Sequence, residues 1–207
     1  MKKYSQNNEQ EVILDFFGEE QGTFLDIGSN DGITLSNTRA LYETGWSGAC
    51  IEPDPNAFKQ LRELYKEQDD VMLYNIAIGD RTGLERMWCS GTHLGKGDVG
   101  LLSTLKKSEL NRWKSSGEEF EEREVMVMSW HDFYENSKYE RFDFINIDAE
   151  GNDLGILRQI NVDQTQTRLI CIEWNGVHET RILVNEYLGE GWKMICLNSE
   201  NLIYAKL

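Results

Sequence analysis

The chain has 207 residues, 40% of them hydrophobic and 11% aromatic, enough for one domain over residues 1–207 with a sizeable core. Its formal net charge of −15 argues against nucleic acid or an anionic membrane surface as the main partner, because phosphate binding needs clustered Lys and Arg. No apolar run approaches the roughly 20 residues that span a bilayer, and Met1-Lys2-Lys3-Tyr4-Ser5-Gln6 lacks the apolar centre of a signal peptide, so a cytoplasmic protein is expected.

Residues 1–20 carry the first predicted helix. Val12, Ile13, Phe16 and Phe17 recur at helical spacing, with Ser5, Asn7 or Asn8 as the cap. Gln6 is either a neighbour of that cap or a ligand contact.

Thr23-Phe24-Leu25-Asp26-Ile27 then reads as a buried strand that runs into the turn Gly28-Ser29-Asn30-Asp31-Gly32. Gly28 has no Cβ, so the backbone can approach a ligand. The segment from Ile33 to Gly45 is predicted as a helix whose first N–H groups face the same ligand. A dinucleotide site wants G-x-G-x-x-G. Here the spacing is Gly28-x-x-x-Gly32, with Asp26 two residues upstream. That pattern suits S-adenosylmethionine (SAM), whose methionine end carries positive charge and no pyrophosphate. Asp26 would hold that charge, and the turn amides and Asn30 would serve the carboxylate. The alternative is a tight strand-to-helix turn of any α/β protein.

Gly48-Ala49-Cys50-Ile51 is a second buried strand, ending at Glu52-Pro53-Asp54-Pro55. Asp54 followed by Pro55 is a helix start. Glu52, at the strand's carboxyl end, can accept hydrogen bonds from both ribose hydroxyls of an adenosine, or it is an exposed loop acid. Ala57 to Tyr65 continues as a helix. Val71 to Ile78 reads as a third strand, whose end at Asn75 to Ala77 would reach the adenine, small Ala77 leaving room for the base.

Leu84 to Cys89 is predicted as an antiparallel excursion. Residues 90–104 hold Gly91, Gly95, Gly97 and Gly100 with His93, Lys96, Ser103 and Thr104, and form a lid or a disordered loop. Residues 105–120 read as a helix passing into the acidic run Glu118 to Glu122, and Arg123 to Trp130 as a strand. The whole of 90–130 is an insertion into simple βα alternation and the expected seat of substrate specificity.

Arg141 to Asp148 is a strand ending in Asp148-Ala149-Glu150-Gly151-Asn152-Asp153, three acids in six residues where open α/β sheets bind ligands. A helix is expected from there through Ile160. Thr167 to Glu173 is the next strand, followed by Trp174-Asn175-Gly176-Val177-His178 and a helix to about Leu188. Trp192–Leu197 and Asn201–Lys206 close the chain as a hairpin. The four cysteines, Cys50, Cys89, Cys171 and Cys196, are never in C-x-x-C spacing and read as buried thiols. The count is roughly five βα units plus a hairpin, an α/β, doubly wound, mostly parallel sheet with one reversed strand near the C-terminus.

These residues resemble the FkbM family of class I SAM-dependent methyltransferases. The matching stretches are Tyr4 to Glu9, Phe24 to Gly32, Cys50 to Pro53, Asn75 to Gly79 and Ile145 to Gly151, in family order over most of the chain. Trp130-His131-Asp132 departs, standing where a Leu-Asp-Asp-like sequence is usual. The resemblance implies a Rossmann-like, seven-stranded sheet. It also implies SAM as cofactor, with S-adenosylhomocysteine (SAH) as product, and O-methylation of a hydroxyl on a sugar or natural product. The cofactor site it implies comprises Gln6, Asp26, Gly28, Ser29, Asn30, Asp31, Gly32, Glu52, Pro53, Asn75, Ala77 and Asp148.

An acceptor hydroxyl must lose its proton, and His178, Asp148 and Glu150 are the candidate bases, with His93 and His131 behind them. Asp148, Glu150 and Glu173 could instead gather a divalent metal such as Mg²⁺, a secondary reading. A non-catalytic module of the same fold, or less readily a nicotinamide-dependent oxidoreductase, is the alternative to a methyltransferase.

Overall fold

The computed structural model describes residues 2–95, 97–114 and 116–207. Lys96, in the glycine-rich loop, lies outside the described residues. Seven strands form the main sheet in the order β3-β2-β1-β7-β8-β10-β9. They are β1 (Thr23–Ile27), β2 (Ser47–Ile51), β3 (Val71–Tyr74), β7 (Phe144–Ile147), β8 (Leu169–Glu173), β9 (Trp192–Leu197) and β10 (Asn201–Lys206). Neighbours are parallel from β3 through β8, and β10 runs antiparallel to both β8 and β9. This is the Rossmann-like sheet expected, with its one reversed strand near the C-terminus. The strand order turns back between β1 and β7, so the carboxyl ends of these strands open a crevice.

Residues alternate across the sheet as the period-2 pattern requires. Leu25, Ile27, Ile145 and Ile147 face one core, packed under α5 (Trp130–Asn136), α6 (Asp153–Leu157) and α7 (His178–Leu188). Phe24, Cys50, Phe144 and Cys171 face the other, covered by α1 (Glu9–Phe17), α2 (Arg39–Glu43) and α3 (Pro55–Leu64). Trp130, where the sequence departs from the family pattern, is buried and stacks on Tyr134, so the substitution fills the core. Asp54 caps α3 as expected, accepting from the Asn56 and Ala57 amides with Pro55 at the first turn. The four thiols are free, with Cys50, Cys89 and Cys171 buried and Cys196 half-buried.

Three expectations need correction. The helix expected from Ile33 to Gly45 is only Arg39–Glu43. Residues 33–38 instead run irregularly, because polar side chains there compete for the backbone. Asp31 accepts from the Ile33 and Thr34 amides, Ser36 accepts from the Thr38 and Arg39 amides, and Leu35 takes φ 57°.

The strand expected over Val71–Ile78 is two. Pairing with β2 ends at Ile51 with Tyr74, and the chain then leaves the sheet. It joins a second, three-stranded sheet through β4 (Ala77–Gly79), ordered β4-β6-β5 with β5 (Gly83–Ser90) and β6 (Phe120–Ser129). The expected 105–120 helix shrinks to α4 (Leu110–Trp113), and Phe120 to Glu122 of the acidic run belong to β6. The antiparallel excursion is the β5–β6 ladder, with Gly83 opposite Val127 and Ser90 opposite Phe120.

Candidate functional site

A cleft opens over the carboxyl ends of β1, β2, β7 and β8, with about 1270 Å³ of empty space, part of it open to solvent. Its first half is built on β1 and β2. Gly28 and Ser29 donate their amides to the Ile51 carbonyl at 2.9 and 3.1 Å, which ties the turn after β1 to the end of β2. Gly28 holds φ +86°, and a Cβ there would stand 1.7 Å from the Asp148 carbonyl oxygen. The glycine is therefore required for the β1 and β7 turns to cross.

Asp26 is 2% exposed. Its carboxylate accepts from Thr38 Oγ1 at 2.5 Å and from Asn146 Nδ2 at 2.8 Å, and Asn37 Nδ2 donates to Asn146 Oδ1 at 3.0 Å. Burial raises the Asp26 pKa, against the pull of the two donors. Glu52 is 4% exposed and accepts the Asn30 amide at 2.8 Å and the Asp54 amide at 2.7 Å, one on each oxygen. Burial pushes its pKa up to about 8 despite those donors.

The second half joins β7 and β8 to the inserted segment. Asp148, Glu150 and Glu173 converge, each offering a carboxylate oxygen within 4.8 Å of the others. Asp153 shapes this turn by accepting the Ala149 and Gly151 amides at 2.7 and 3.0 Å. Burial, then the charges of Asp153 and Asp26, pushes Asp148 up to about 7. Burial and the Asp148 charge raise Glu150 well above the usual carboxylate range, and Glu173 likewise. Arg112 of α4 approaches Glu150 at 3.8 Å and pairs with Glu109 at 3.1 Å. His93 meets the ring of Trp113 edge-on at 5.3 Å and its Nδ1 lies 2.6 Å from Glu118 Oε1.

The inserted loop is tied over the cleft. Asn30 Nδ2 donates to the Val99 carbonyl at 2.8 Å, Ser103 Oγ donates to Asp54 at 2.7 Å, and Thr104 Oγ1 donates to the Glu150 carbonyl at 2.8 Å. Seven buried side-chain polar atoms lack a hydrogen-bond partner among the described residues, and five of them belong to residues lining this cleft. They are Asn30 Oδ1, Asn37 Oδ1, Trp113 Nε1, Glu150 Oε2 and Glu173 Oε2. Each such atom costs about 1–3 kcal/mol while unsatisfied, so their concentration in one place marks where a polar ligand belongs.

The methyltransferase FkbM domain family matches residues 26–194. The chain belongs to this family. The 2-O-methyltransferase NoeI of Sinorhizobium fredii is 25% identical over 169 residues, covering 79% of this chain and 67% of NoeI. Among solved structures, methyltransferase FkbM from Methylobacillus flagellatus aligns with TM-score 0.52 at 14% identity. The match covers 88% of this chain, which spans 43% of that longer protein. The N-terminal domain of human METTL16 in complex with SAH aligns with TM-score 0.50 at 14% identity, covering 96% of this chain and 68% of that one. At these identities the two structures establish the fold alone.

Of the residues expected from sequence, Gln6, Asp26, Gly28, Ser29, Asn30, Glu52, Pro53, Ala77, Asp148 and Glu150 line the cleft of this FkbM-family chain. Four do not. Asp31 is spent on the turn that follows it. Gly32 faces Leu61, Leu64 and Tyr65, so it packs the turn against α3. Asn75 is exposed and donates to the Glu52 and Pro53 carbonyls at 2.8 and 3.2 Å. His178 is the exposed first residue of α7, where its Nδ1 accepts from Arg181 at 3.0 Å. His93 lines the cleft and His131, exposed on α5, does not.

Asn37, Thr38, Asn146, Arg112 and Trp113 are site residues that the strand-and-helix reading does not single out. Three consecutive polar residues, Ser36-Asn37-Thr38, are the signal for the first two. Nothing local marks Arg112 and Trp113. Among the described residues no helix is long and apolar enough to cross a membrane.

Proposed function

We propose that the cleft binds SAM in its β1–β2 half and directs O-methylation of a hydroxyl, on a sugar or other small natural product, in its β7–β8 half. The observation that carries this is Glu150 Oε2, an enclosed carboxylate oxygen that has no hydrogen-bond partner and is approached by Arg112 Nη1 at 3.8 Å, in the same cleft as Asp26 and Glu52. The residues present fit the cofactor. Each oxygen of Glu52 already accepts one amide and keeps a lone pair, two acceptors for the two hydroxyls of a ribose. Asn30 Oδ1 and Asn37 Oδ1, both without partners, offer acceptors for an ammonium group. Asp26 supplies negative charge beside them, Gln6 lines the same wall, and small Ala77 leaves room for a flat base.

When bound, SAM supplies a methyl group on a sulfonium, which is already a good leaving group. The chain's own work is then alignment, exclusion of water and removal of one proton. The loop ties from Asn30, Ser103 and Thr104 enclose the cleft. Glu150 Oε2 would take the hydroxyl proton while the methyl carbon passes from sulfur to oxygen and SAH leaves, with Asp148 beside it. The relative NoeI, a 2-O-methyltransferase, supports a hydroxyl acceptor.

Calorimetric titration with SAM and SAH, with NADH as control, tests the first half. Micromolar binding of both and none of NADH is expected. Screening sugar and natural-product hydroxyls for SAM-dependent methylation tests the second half. Absence of SAM and SAH binding would end the whole reading.

A further inference from the structure

We propose that Asp148, Glu150 and Glu173 form a binding site for one divalent cation, whose open positions receive the acceptor's oxygen atoms. The first part stands on the geometry of the three side chains, and the second rests on the reading of the cleft as an acceptor site.

The three carboxylates come from two elements. Asp148 and Glu150 lie two residues apart in the turn after β7, and Glu173 ends the neighbouring strand β8. One oxygen of each falls within 4.8 Å of the others. Opposite ligands of an oxygen-coordinated ion stand about 4.2 Å apart around Mg²⁺ and about 4.6–5.2 Å apart around Ca²⁺. The cluster is therefore close to the size a hard divalent ion needs, and the three carboxylates would draw together around it. An all-oxygen set selects Mg²⁺, Ca²⁺ or Mn²⁺ over softer metals.

A crowd of acids alone would mean little. Here Glu173 is 7% exposed, and its Oε2, like Glu150 Oε2, is enclosed without any hydrogen-bond partner. Neighbouring acids that already hold their donors look different. Asp153 is spent on two amides of the same turn, and Asp26 on Thr38 and Asn146. Arg112 Nη1 approaches Glu150 alone, at 3.8 Å, and already pairs with Glu109 at 3.1 Å. One shared guanidinium does not balance three converging carboxylates. Three protein ligands leave about half of an octahedral shell open, which faces the cleft these residues line. A hydroxyl bound there would become a stronger acid, which eases the loss of its proton to the Glu150 oxygen that does not hold the ion.

The test titrates the EDTA-treated full chain with Mn²⁺ alone, following free Mn²⁺ by electron paramagnetic resonance. One Mn²⁺ per chain, displaced by Mg²⁺, is expected. Binding should weaken at least tenfold in Glu173→Gln while the melting curve and SAH affinity hold. If Glu173→Gln fails to fold, Glu150→Gln carries the same comparison. No binding below millimolar Mn²⁺, or binding untouched in both variants, overturns the site. Methyl transfer at full rate in EDTA overturns the cation and leaves the methyltransferase reading standing. Stoichiometric Mn²⁺ binding that both variants weaken supports the site even if no acceptor is methylated.

Discussion

At the carboxyl ends of β1 and β2, Asp26 and Glu52 are each held by two donors from the chain itself. At β7 and β8, Glu150 and Glu173 each keep a buried oxygen with no hydrogen-bond partner among the described residues. Both pairs are acids at strand ends in one cleft. The first pair is locked in position before any ligand arrives, which removes ordering costs from binding. Of the second, Glu150 stands in the turn that Asp153 holds and Glu173 at the end of β8, each with one oxygen still unspent. Acids that are already satisfied suit the parts of a cofactor whose bonding stays the same, such as a ribose. Acids left unsatisfied suit the group whose bonding changes during reaction.

The sharpest way to break that division is Glu150→Gln. The substitution keeps size and removes the acceptor for the proton, so turnover should fall by about 10²–10⁴-fold. SAH affinity, a property of the other half, should stay within about twofold. Steady-state kinetics beside calorimetry checks both. If affinity falls with turnover, the two halves are one site and the comparison fails.

Gly28 is where the halves touch. A Cβ there would press on the Asp148 carbonyl at 1.7 Å from a residue with φ +86°. Gly28→Ala should cost about 2–6 kcal/mol by urea denaturation, strain and overpacking together. Gly83, whose added Cβ meets nothing within 4 Å, is the control and should change stability by less than about 0.5 kcal/mol on Gly83→Ala. Equal costs would mean that the crossing of the two turns is not the constraint.

The same division sets what was legible in sequence. Asp26, Gly28 and Glu52 are readable because each sits within a few residues of a buried strand's end, where position follows from the local pattern. Asp148 and Glu150 are readable for the same reason. The break from helix over 33–38 is not legible, because hydrophobic spacing says nothing of side chains that capture backbone amides, as Asp31 and Ser36 do. A continuous strand would bring Ala77 to the adenine wall, whereas the chain breaks at Asn75 and reaches the cleft from a second sheet. Arg112 owes its place beside Glu150, some forty residues on in the chain, to the ties of the inserted loop, and Trp113 lines the cleft next to it, which no local period encodes.

Glu52 gives a smaller and more specific effect. Gln at this position would turn an amide N–H₂ toward one of the two backbone donors. It should therefore weaken SAM and SAH binding by about 1.5–3 kcal/mol, roughly 10- to 150-fold. Its pKa in the ligand-free protein is raised to about 8, so the folded chain holds this proton through neutral pH where the unfolded chain has lost it. The contribution to stability is complete below the ordinary carboxylate pKa and is lost as pH rises through about 8. Two ribose hydroxyls donating to Glu52 would favour its ionised form, so cofactor binding should release a proton. Affinity should strengthen as pH rises from 6 toward 8.5, and Glu52→Gln should flatten that slope. An affinity independent of pH in the unsubstituted protein would move the ribose away from Glu52.

The smallest effect is expected at His178, where sequence alone suggested a base. Its spacing after Glu173 and its ordinary suitability for proton transfer made the case. The chain intervenes: Asn175 and Gly176 both take positive φ, 51° and 71°, and Val177 then leads into α7. Glu173 and Asn175 line the cleft, but His178 stands exposed at the start of the helix, engaged by Arg181. His178→Ala should therefore change turnover by less than about twofold and stability by less than about 0.5 kcal/mol, as for other exposed positions. A loss of 10²-fold or more with unchanged SAH affinity would say the opposite. The start of α7 would then have to close onto the cleft when the acceptor binds, and the proton would pass to His178 instead of Glu150.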